Sequence, residues 1–353
     1  MFYPAKISSI ERLTEDAVSL ELVLNPLDVI HFPYQAGQYI VIRVPALNAA
    51  EHRSYSLSSA PYEKKLQIGV KKHPQGLVSS FLCDQAKVGD LIEIMAPQGS
   101  FILSQQSPLH SLVAFAAGSG ITPVISIIKQ LLKESSANIS LFYGNKGADS
   151  IMFKSQLDAL VANYPVRFEV NYIYSQQKTG LADLEGRIDS NKIHRWKEYL
   201  FSLNNTETYL LCGPGNMVET IQSTLISLNI DQSKIITEYF TAPTSPVVNP
   251  PEFKATTAPD GFHIVVKYEG KSHDLQSANN KTVVLDLGLK QGIDLPYSCK
   301  SGVCSTCQAR LIKGEVKMDN NYVLSESELK QGFILTCQSH PVTSFVEVDY
   351  DMK

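Results

Sequence analysis

No stretch of about 18 consecutive apolar residues, the length that crosses a bilayer, occurs in this chain. Its first residues, MFYPAKISSIERLTEDAV, also lack the apolar centre of a secretory signal. The expectation is a cytoplasmic protein with no membrane partner. A basic excess is missing as well: 31 Lys and Arg stand against 35 Asp and Glu, for a formal net charge of -4. Binding to nucleic acid needs the opposite balance, so small molecules and other proteins are the expected partners. Cysteine is scarce, six in 353 residues, too few for a disulfide scaffold. There is no internal repeat, and the only biased tract is a short one rich in proline.

What is present falls into three textures. From Ile7 to about Leu103 the runs VSLELVL, QYIVIRV, LQIGVKK and LIEIMA are short and separated by Gly, Pro and Asn turns. That pattern predicts an antiparallel barrel or sandwich, with GLVSSFLCDQ as its one helical stretch. From Leu112 strand-like LVAFAAG, NISLFYG and RFEVNYIY alternate with helix-like PVISIIKQLLKE and DSIMFKSQLDALVANY. Such alternation marks a parallel α/β sheet. TAPTSPVVNPPEFKATTA, residues 241–258, holds four prolines and no periodicity, and reads as a semi-extended linker. A third domain follows, with strands in FHIVVKY, SHDLQ, CQARLIK, FILTCQ and FVEVDY and a helix in KTVVLDLGLKQG.

The cysteines are clustered. Cys299, Cys304 and Cys307 follow C-x4-C-x2-C, and Cys337 stands further on in ILTCQSH. This is the plant-type spacing in which four thiolates hold a 2Fe-2S cluster. Soft thiolates suit iron and sulfide, and Gly302 permits a tight backbone around them. The competing zinc reading fits less well, because structural zinc takes paired C-x2-C or Cys2His2 sets.

On these residues the stretch LPYSCKSGVCSTCQARLIKGEVKMDNNYVLSESELKQGFILTCQSHP resembles the C-terminal ferredoxin domain of oxygenase reductases in the ferredoxin-NADP reductase family. It is most like the reductase subunits of phenylacetyl-CoA epoxidases. The resemblance implies a multidomain chain: an FAD-binding antiparallel β-barrel over 1–104, an NAD(P)-binding α/β parallel-sheet domain over 105–240, the linker, and an α+β β-grasp ferredoxin domain over 259–353.

Upstream residues carry the same resemblance. Arg53, Ser54, Tyr55 and Ser56 look like the family's R-x-Y-S flavin motif. The arginine fork can pair with pyrophosphate, the tyrosine ring can stack on the isoalloxazine, and the Ser56 hydroxyl can reach the reactive flavin nitrogen. In GVKKHPQGLVSSFL the family's second flavin segment is matched, with Gly76, Leu77, Val78 and Ser79 opening a helix whose amides can take phosphate. Val70 and Lys71 are implied beside the ring or the phosphates. FAD is favoured over FMN because the arginine and glycine-rich phosphate loop of phthalate-dioxygenase-type reductases is not found.

FAAGSGITPVIS follows a buried strand and opens a helix, so Gly118, Ser119, Gly120, Thr122 and Pro123 offer backbone to a pyrophosphate. LLCGPGNM matches the family's C-G-P-x-x-M ending of a later strand. By resemblance Cys212 lies against the reacting nicotinamide, and Gly213, Pro214, Gly215 and Met217 shape its pocket. Hydride transfer needs ring stacking rather than covalent attack, so Cys212 is expected to pack and position. Glu238 and Phe240, in ITEYF, are implied near the flavin, and Ser56, Cys212 and Glu238 are the expected catalytic set. Cys83 reads as a small buried hydrophobe. Asn145 and Lys146 stand where an acid would favour NADH. Gln176 replaces the arginine common in NADPH users, with Arg187 available to compensate; the resemblance favours NADPH, and NADH stays open.

The three signatures outline a path from NAD(P)H through FAD to the cluster, and plant-type clusters near about -400 mV can drive oxygenase metal centres. The expected partner is an oxygenase or another electron-acceptor protein. No H-E-x-x-H or paired E-x-x-H motif supplies a di-iron site within the chain itself. A reductase for a steroid hydroxylase, an aromatic-ring hydroxylase or a hybrid-cluster protein is the nearest alternative, and a redox-sensing flavin and cluster protein is one of another class.

Overall fold

The computed structural model describes residues 1–47, 51–103, 109–202, 208–244 and 261–352. From position 245 onward, the expected linker lies outside the described residues. The chain divides into two compact units, Met1–Pro243 and Thr244–Lys353.

The first unit begins with six strands: β1 (Phe2–Thr14), β2 (Ala17–Leu24), β3 (Tyr39–Arg43), β4 (His52–Ser56), β5 (Leu66–Lys71) and β6 (Leu91–Met95), with helix α1 (Leu77–Asp84) before β6. Their order is β4-β3-β6-β1-β2-β5, every pairing antiparallel. The two end strands meet just beyond β4: Leu57 bridges Ile68, and the Ser58 amide donates to the Gln67 carbonyl at 2.7 Å. That contact joins the open edges and makes the sheet a barrel. Inside it, Ile7, Leu20, Ile40, Ile42, Leu57 and Ile68 are wholly buried.

Next come β7 (Ser111–Ala117), α2 (Ile121–Glu134), β8 (Asn138–Asn145), α3 (Lys154–Asn163), β9 (Phe168–Tyr174), α4 (Ser190–Arg195), α5 (Lys197–Ser202), β10 (Thr208–Gly213), α6 (Gly215–Ser227) and β11 (Ile235–Tyr239). The sheet is parallel throughout, in the order β11-β10-β7-β8-β9. Central β7, SLVAFAA, is buried along nearly its whole length, as a strand covered on both faces must be. One expected helix is shorter than its pattern. DSIMF does not join α3, because Ile151, Met152 and Phe153 are buried in the core and Phe153 takes a left-handed φ of 59° just before the helix. Tertiary burial, rather than helical period, spaced those apolar residues.

The barrel and the parallel sheet are latched together within this unit. Ser126 of α2 donates to the Ser59 carbonyl at 2.6 Å. The buried Lys129 ammonium reaches the Ser58 carbonyl at 3.2 Å and Glu63 at 3.3 Å. Burial lowers the Lys129 pKa, and the Glu63 carboxylate opposes that shift.

The second unit contains β12 (Phe262–Tyr268), β13 (Lys271–Ser277), α7 (Val284–Lys290), β14 (Gln308–Lys313), β15 (Val316–Met318), α8 (Glu326–Lys330), β16 (Phe333–Leu335), β17 (Ser339–Pro341) and β18 (Phe345–Asp349). A mixed five-stranded sheet, β13-β12-β18-β14-β16, has its one parallel pairing between β12 and β18; β15 and β17 form a separate pair. Ile264, Val266, Leu275, Val284, Leu285 and Val346 fill its own core. Among the described residues no helix is long and apolar enough to cross a membrane.

Candidate active site and cluster loop

In the parallel sheet the chain leaves β7 toward β8 on one side, while β10 and β11 lie on the other. The strand order therefore reverses between β7 and β10, and a crevice beyond the carboxyl ends of such a pair is where α/β sheets bind ligands. The glycine segments predicted for the nucleotide sit there. Gly118–Gly120 form a tight turn after β7, and Gly213 to Gly215 lead from β10 into α6. Gly120 is required by contact, because a Cβ on it would lie 2.3 Å from the Cys212 carbonyl oxygen. Thr122 donates to the Ser119 carbonyl at 2.9 Å, and Tyr143 to the Gly118 carbonyl at 2.9 Å, so the turn is held from two sides. Pro123 is buried in the first turn of α2, where its missing amide costs no helix bond.

One strand along, Asn145 is buried at the end of β8. Its side-chain oxygen has no hydrogen-bond partner among the described residues, while its amide nitrogen donates weakly to the Tyr143 carbonyl at 3.4 Å. A buried acceptor without a donor is costly unless a ligand supplies one, and a nucleotide's ribose hydroxyl is such a donor. Lys146 beside it is exposed. The residues present thus fit a nicotinamide nucleotide.

Three expected catalytic residues from separate strands meet. Cys212 on β10 and Glu238 on β11 are register partners, and the Cys212 thiol donates to the Glu238 carboxyl at 3.6 Å. Ser56, at the end of barrel strand β4, hydrogen-bonds the same carboxyl. Burial pushes the Glu238 carboxyl from 4.5 up to about 8, against the lowering effect of those two hydrogen bonds. At neutral pH it holds a proton. Burial and the adjacent Glu238 raise the Cys212 thiol well above its ordinary value, which leaves a neutral S–H with no nucleophilic character. Phe240 closes this corner: its amide donates to the Gly213 carbonyl at 3.0 Å and its side chain packs on the α/β core. Pro214 is exposed and Met217 half-buried beside them.

Glu238 makes a pH prediction with a definite sign. A carboxyl raised from 4.5 to about 8 by folding binds its proton more tightly in the native state. Stability is then full below 4.5 and declines as pH rises toward 8. Melting temperatures across that range are expected to fall in the native protein and to lose this component of the fall in E238Q. Parallel curves for the two proteins would contradict the assignment.

On the barrel, Arg53 and Tyr55 share one face of β4, with Arg53 exposed and Tyr55 half-buried. The Arg53 guanidinium donates to the His52 carbonyl at 2.7 Å and pairs with Glu51. Ser54 is half-buried on the opposite face. Helix α1 starts after Gly76, and the Leu77, Val78 and Ser79 amides open it without intrahelical acceptors. The Ser79 hydroxyl is already engaged, accepting from the His73 amide at 3.1 Å and donating to the Gly76 carbonyl at 3.2 Å. An exposed guanidinium, a half-buried aromatic ring and the first amides of a helix on one barrel fit a flavin nucleotide. Val70 is placed differently: its side chain is wholly buried in the barrel core, so only its backbone could meet a ligand. Lys71 pairs with Asp16 at 3.2 Å. Cys83 packs in the same core, its thiol pushed up to about 11 chiefly by burial.

In the second unit the four cluster cysteines converge. The Cys304 thiol donates to the Cys299 sulfur at 3.1 Å, and Cys337 hydrogen-bonds both Cys299 and Cys307. The bonds from Cys304 and Cys337 hold Cys299 well below the ordinary thiol value. Four thiolates in the C-x4-C-x2-C and distant-cysteine spacing are the donor set of a plant-type two-iron cluster, and the residues present fit it. Gly302 adopts φ 77°, and a Cβ there would stand 2.9 Å from the Asn320 carbonyl oxygen. The Ser301 amide lies 3.4 Å from the Cys299 sulfur. Behind the loop, Thr336 donates to the Cys307 carbonyl at 2.9 Å and shares a 2.6 Å hydrogen bond with the buried Tyr350 hydroxyl. Thr336, Gln338, Asn320 and Tyr350 are not among the motif's cysteines; only the positions of Thr336 and Gln338, on either side of Cys337, could have signalled any of them.

Three domain families match in chain order: Oxidoreductase FAD-binding domain at 4–102, Oxidoreductase NAD-binding domain at 115–223, and 2Fe-2S iron-sulfur cluster binding domain at 266–342. A component of the 1,2-phenylacetyl-CoA epoxidase of Escherichia coli (strain K12) is 31% identical over 355 residues, covering 100% of this chain and 98% of its own. The chain belongs to the ferredoxin-NADP reductase family. This reductase is also 31% identical to the ferredoxin reductase component of 3-ketosteroid-9-alpha-monooxygenase from Rhodococcus rhodochrous, over 98% of this chain and 95% of that one. Its fold matches the solved structure of phthalate dioxygenase reductase with a TM-score of 0.62, at 23% identity, over 99% of this chain and 98% of that one. The reductase is an oxidoreductase that uses FAD, a nicotinamide nucleotide and a 2Fe-2S cluster.

Proposed function

We propose that the reductase is the electron-supplying component of a multicomponent oxygenase, most like the phenylacetyl-CoA epoxidase of phenylacetate degradation, and that it works in the cytoplasm. The observation that carries this reading is end-to-end similarity to the Escherichia coli epoxidase component, with all three domains in the same chain. When bound, the flavin accepts a hydride's two electrons together and the cluster carries them one at a time. The chain's own residues do the rest. Gly118, Ser119, Gly120, Thr122 and Pro123, with Gly213 to Gly215 and Met217, form the nicotinamide crevice. Arg53, Ser54, Tyr55 and Ser56 hold the flavin, and Gly76 to Ser79 take its phosphates. Glu238 keeps a proton beside Ser56 and Cys212, while Cys212 fills the corner where the two rings would meet. Cys299, Cys304, Cys307 and Cys337 ligate the cluster, in a domain over 259–353 that follows a barrel over 1–104 and a nucleotide domain over 105–240.

NADPH is the proposed donor, supported by exposed Lys146 and by the lack of an acid at the end of β8. A second acceptor class, a ketosteroid hydroxylase, has equal identity behind it. Reconstitution separates them. The reductase is expected to support NADPH-dependent loss of phenylacetyl-CoA when mixed with the epoxidase's oxygenase components, and to support ketosteroid hydroxylation poorly. The reverse pattern would reassign the partner.

A further inference from the structure

We propose that Gln338 tunes the electron affinity of the cluster by donating its side-chain amide to the Cys337 sulfur. The inference rests on reading the four cysteines as ligands of a 2Fe-2S cluster. Gln338 follows Cys337 directly and is 6% exposed. Its amide nitrogen lies 3.4 Å from the Cys337 sulfur, 3.0 Å from the Cys337 carbonyl and 3.1 Å from the Lys300 carbonyl. Its oxygen accepts from the Asn320 side-chain amide at 3.2 Å. Three acceptors at one end and a donor at the other fix which way the amide points, because a flipped group would set oxygen against oxygen and sulfur. Two N–H groups are therefore shared among three acceptors: the Cys337 sulfur, the Cys337 carbonyl, and the backbone of the loop that carries Cys299.

The clamp is held from behind. The Asp319 amide donates to the Gln338 carbonyl at 3.0 Å, and the Tyr322 amide donates to the Gly302 carbonyl at 3.0 Å. Asn320 thus bridges the cluster loop and Gln338: its backbone oxygen packs on Gly302 while its side chain orients the glutamine. Negative charge on the ligand sulfurs grows when a cluster gains an electron. A donor aimed at one of them favours the reduced form, and more strongly in a buried setting than in water. Gln338 is a positioning and tuning residue; it acts through Cys337.

The test is a redox titration of the intact protein, followed by the electron paramagnetic resonance of the reduced cluster, with the flavin couple as an internal control. Leucine is close to glutamine in size and has no N–H. Q338L is expected to move the cluster midpoint to a more negative potential by about tenfold in the one-electron equilibrium, or about 59 mV. N320L leaves Gln338 in place but frees its amide, and is expected to give a smaller shift of the same sign. Neither should move the flavin couple. If Q338L binds no cluster, N320L decides alone. A cluster midpoint equal to wild type in every variant that loads would overturn the proposal. A wild-type protein without a 2Fe-2S signal would instead remove the ligand reading beneath it.

Discussion

Replacing Cys304 with serine is expected to abolish electron delivery to a one-electron acceptor protein while NAD(P)H still reduces the flavin at its wild-type rate. The loss should exceed the roughly 10–100-fold that changes around a metal site commonly cost, because a ligand itself is removed. Its confinement follows from the architecture. The four cysteines lie in Thr244–Lys353, which has its own core, whereas the residues proposed for the nicotinamide and the flavin all belong to Met1–Pro243. Serine keeps the shape of the side chain, and Cys307 rather than Cys304 is the cysteine held by Thr336, which in turn bonds Tyr350. Anaerobic flavin reduction and cytochrome c reduction, measured side by side, read the two halves separately. Equal loss of both would mean that the cluster supports the flavin unit and does not merely follow it in the electron path.

G120A is expected to produce the complementary defect. The added methyl would meet the Cys212 carbonyl oxygen at 2.3 Å, which is backbone that cannot rotate away, so β7 and β10 must separate at their carboxyl ends. Those ends carry the nucleotide turn and Cys212, and a misplacement near 1 Å at a reacting site can cost about 100-fold in rate. Overpacking of this kind also costs about 1–3 kcal/mol in stability. Flavin reduction by NAD(P)H should therefore collapse, whereas chemical reduction of the same flavin, followed by electron delivery through the cluster, should persist. An unimpaired reaction with NAD(P)H would show that the crevice at the strand reversal is not the nucleotide site.

Much of this organisation was legible in the sequence because the signals were local. The C-x4-C-x2-C spacing and distant Cys337 need no tertiary information, and the switch from short alternating runs to buried strands with intervening helices separates barrel from parallel sheet. Contacts that close the fold were not legible. Leu57 and Ser58 seal the barrel against β5, and no pattern in LSSAP announces it. Phe153 defeats the helical period because its ring is buried and its backbone is left-handed. The meeting of Ser56, Cys212 and Glu238 was expected only through family resemblance. What the structure adds is the shared carboxyl and the burial that keeps it protonated near neutral pH. Gln338 was overlooked because a glutamine beside a ligand gives no sign of which atom it serves until Asn320 and Lys300 are seen around it.

The most direct measurement is anaerobic stopped-flow of the purified protein against NADPH and, separately, NADH, following first the flavin's visible absorbance and then that of the cluster. The account predicts that the flavin bleaches first and the cluster second, faster with NADPH. Failure of both nucleotides to bleach the flavin would contradict it and favour a redox-sensing protein that holds the same groups without turning over.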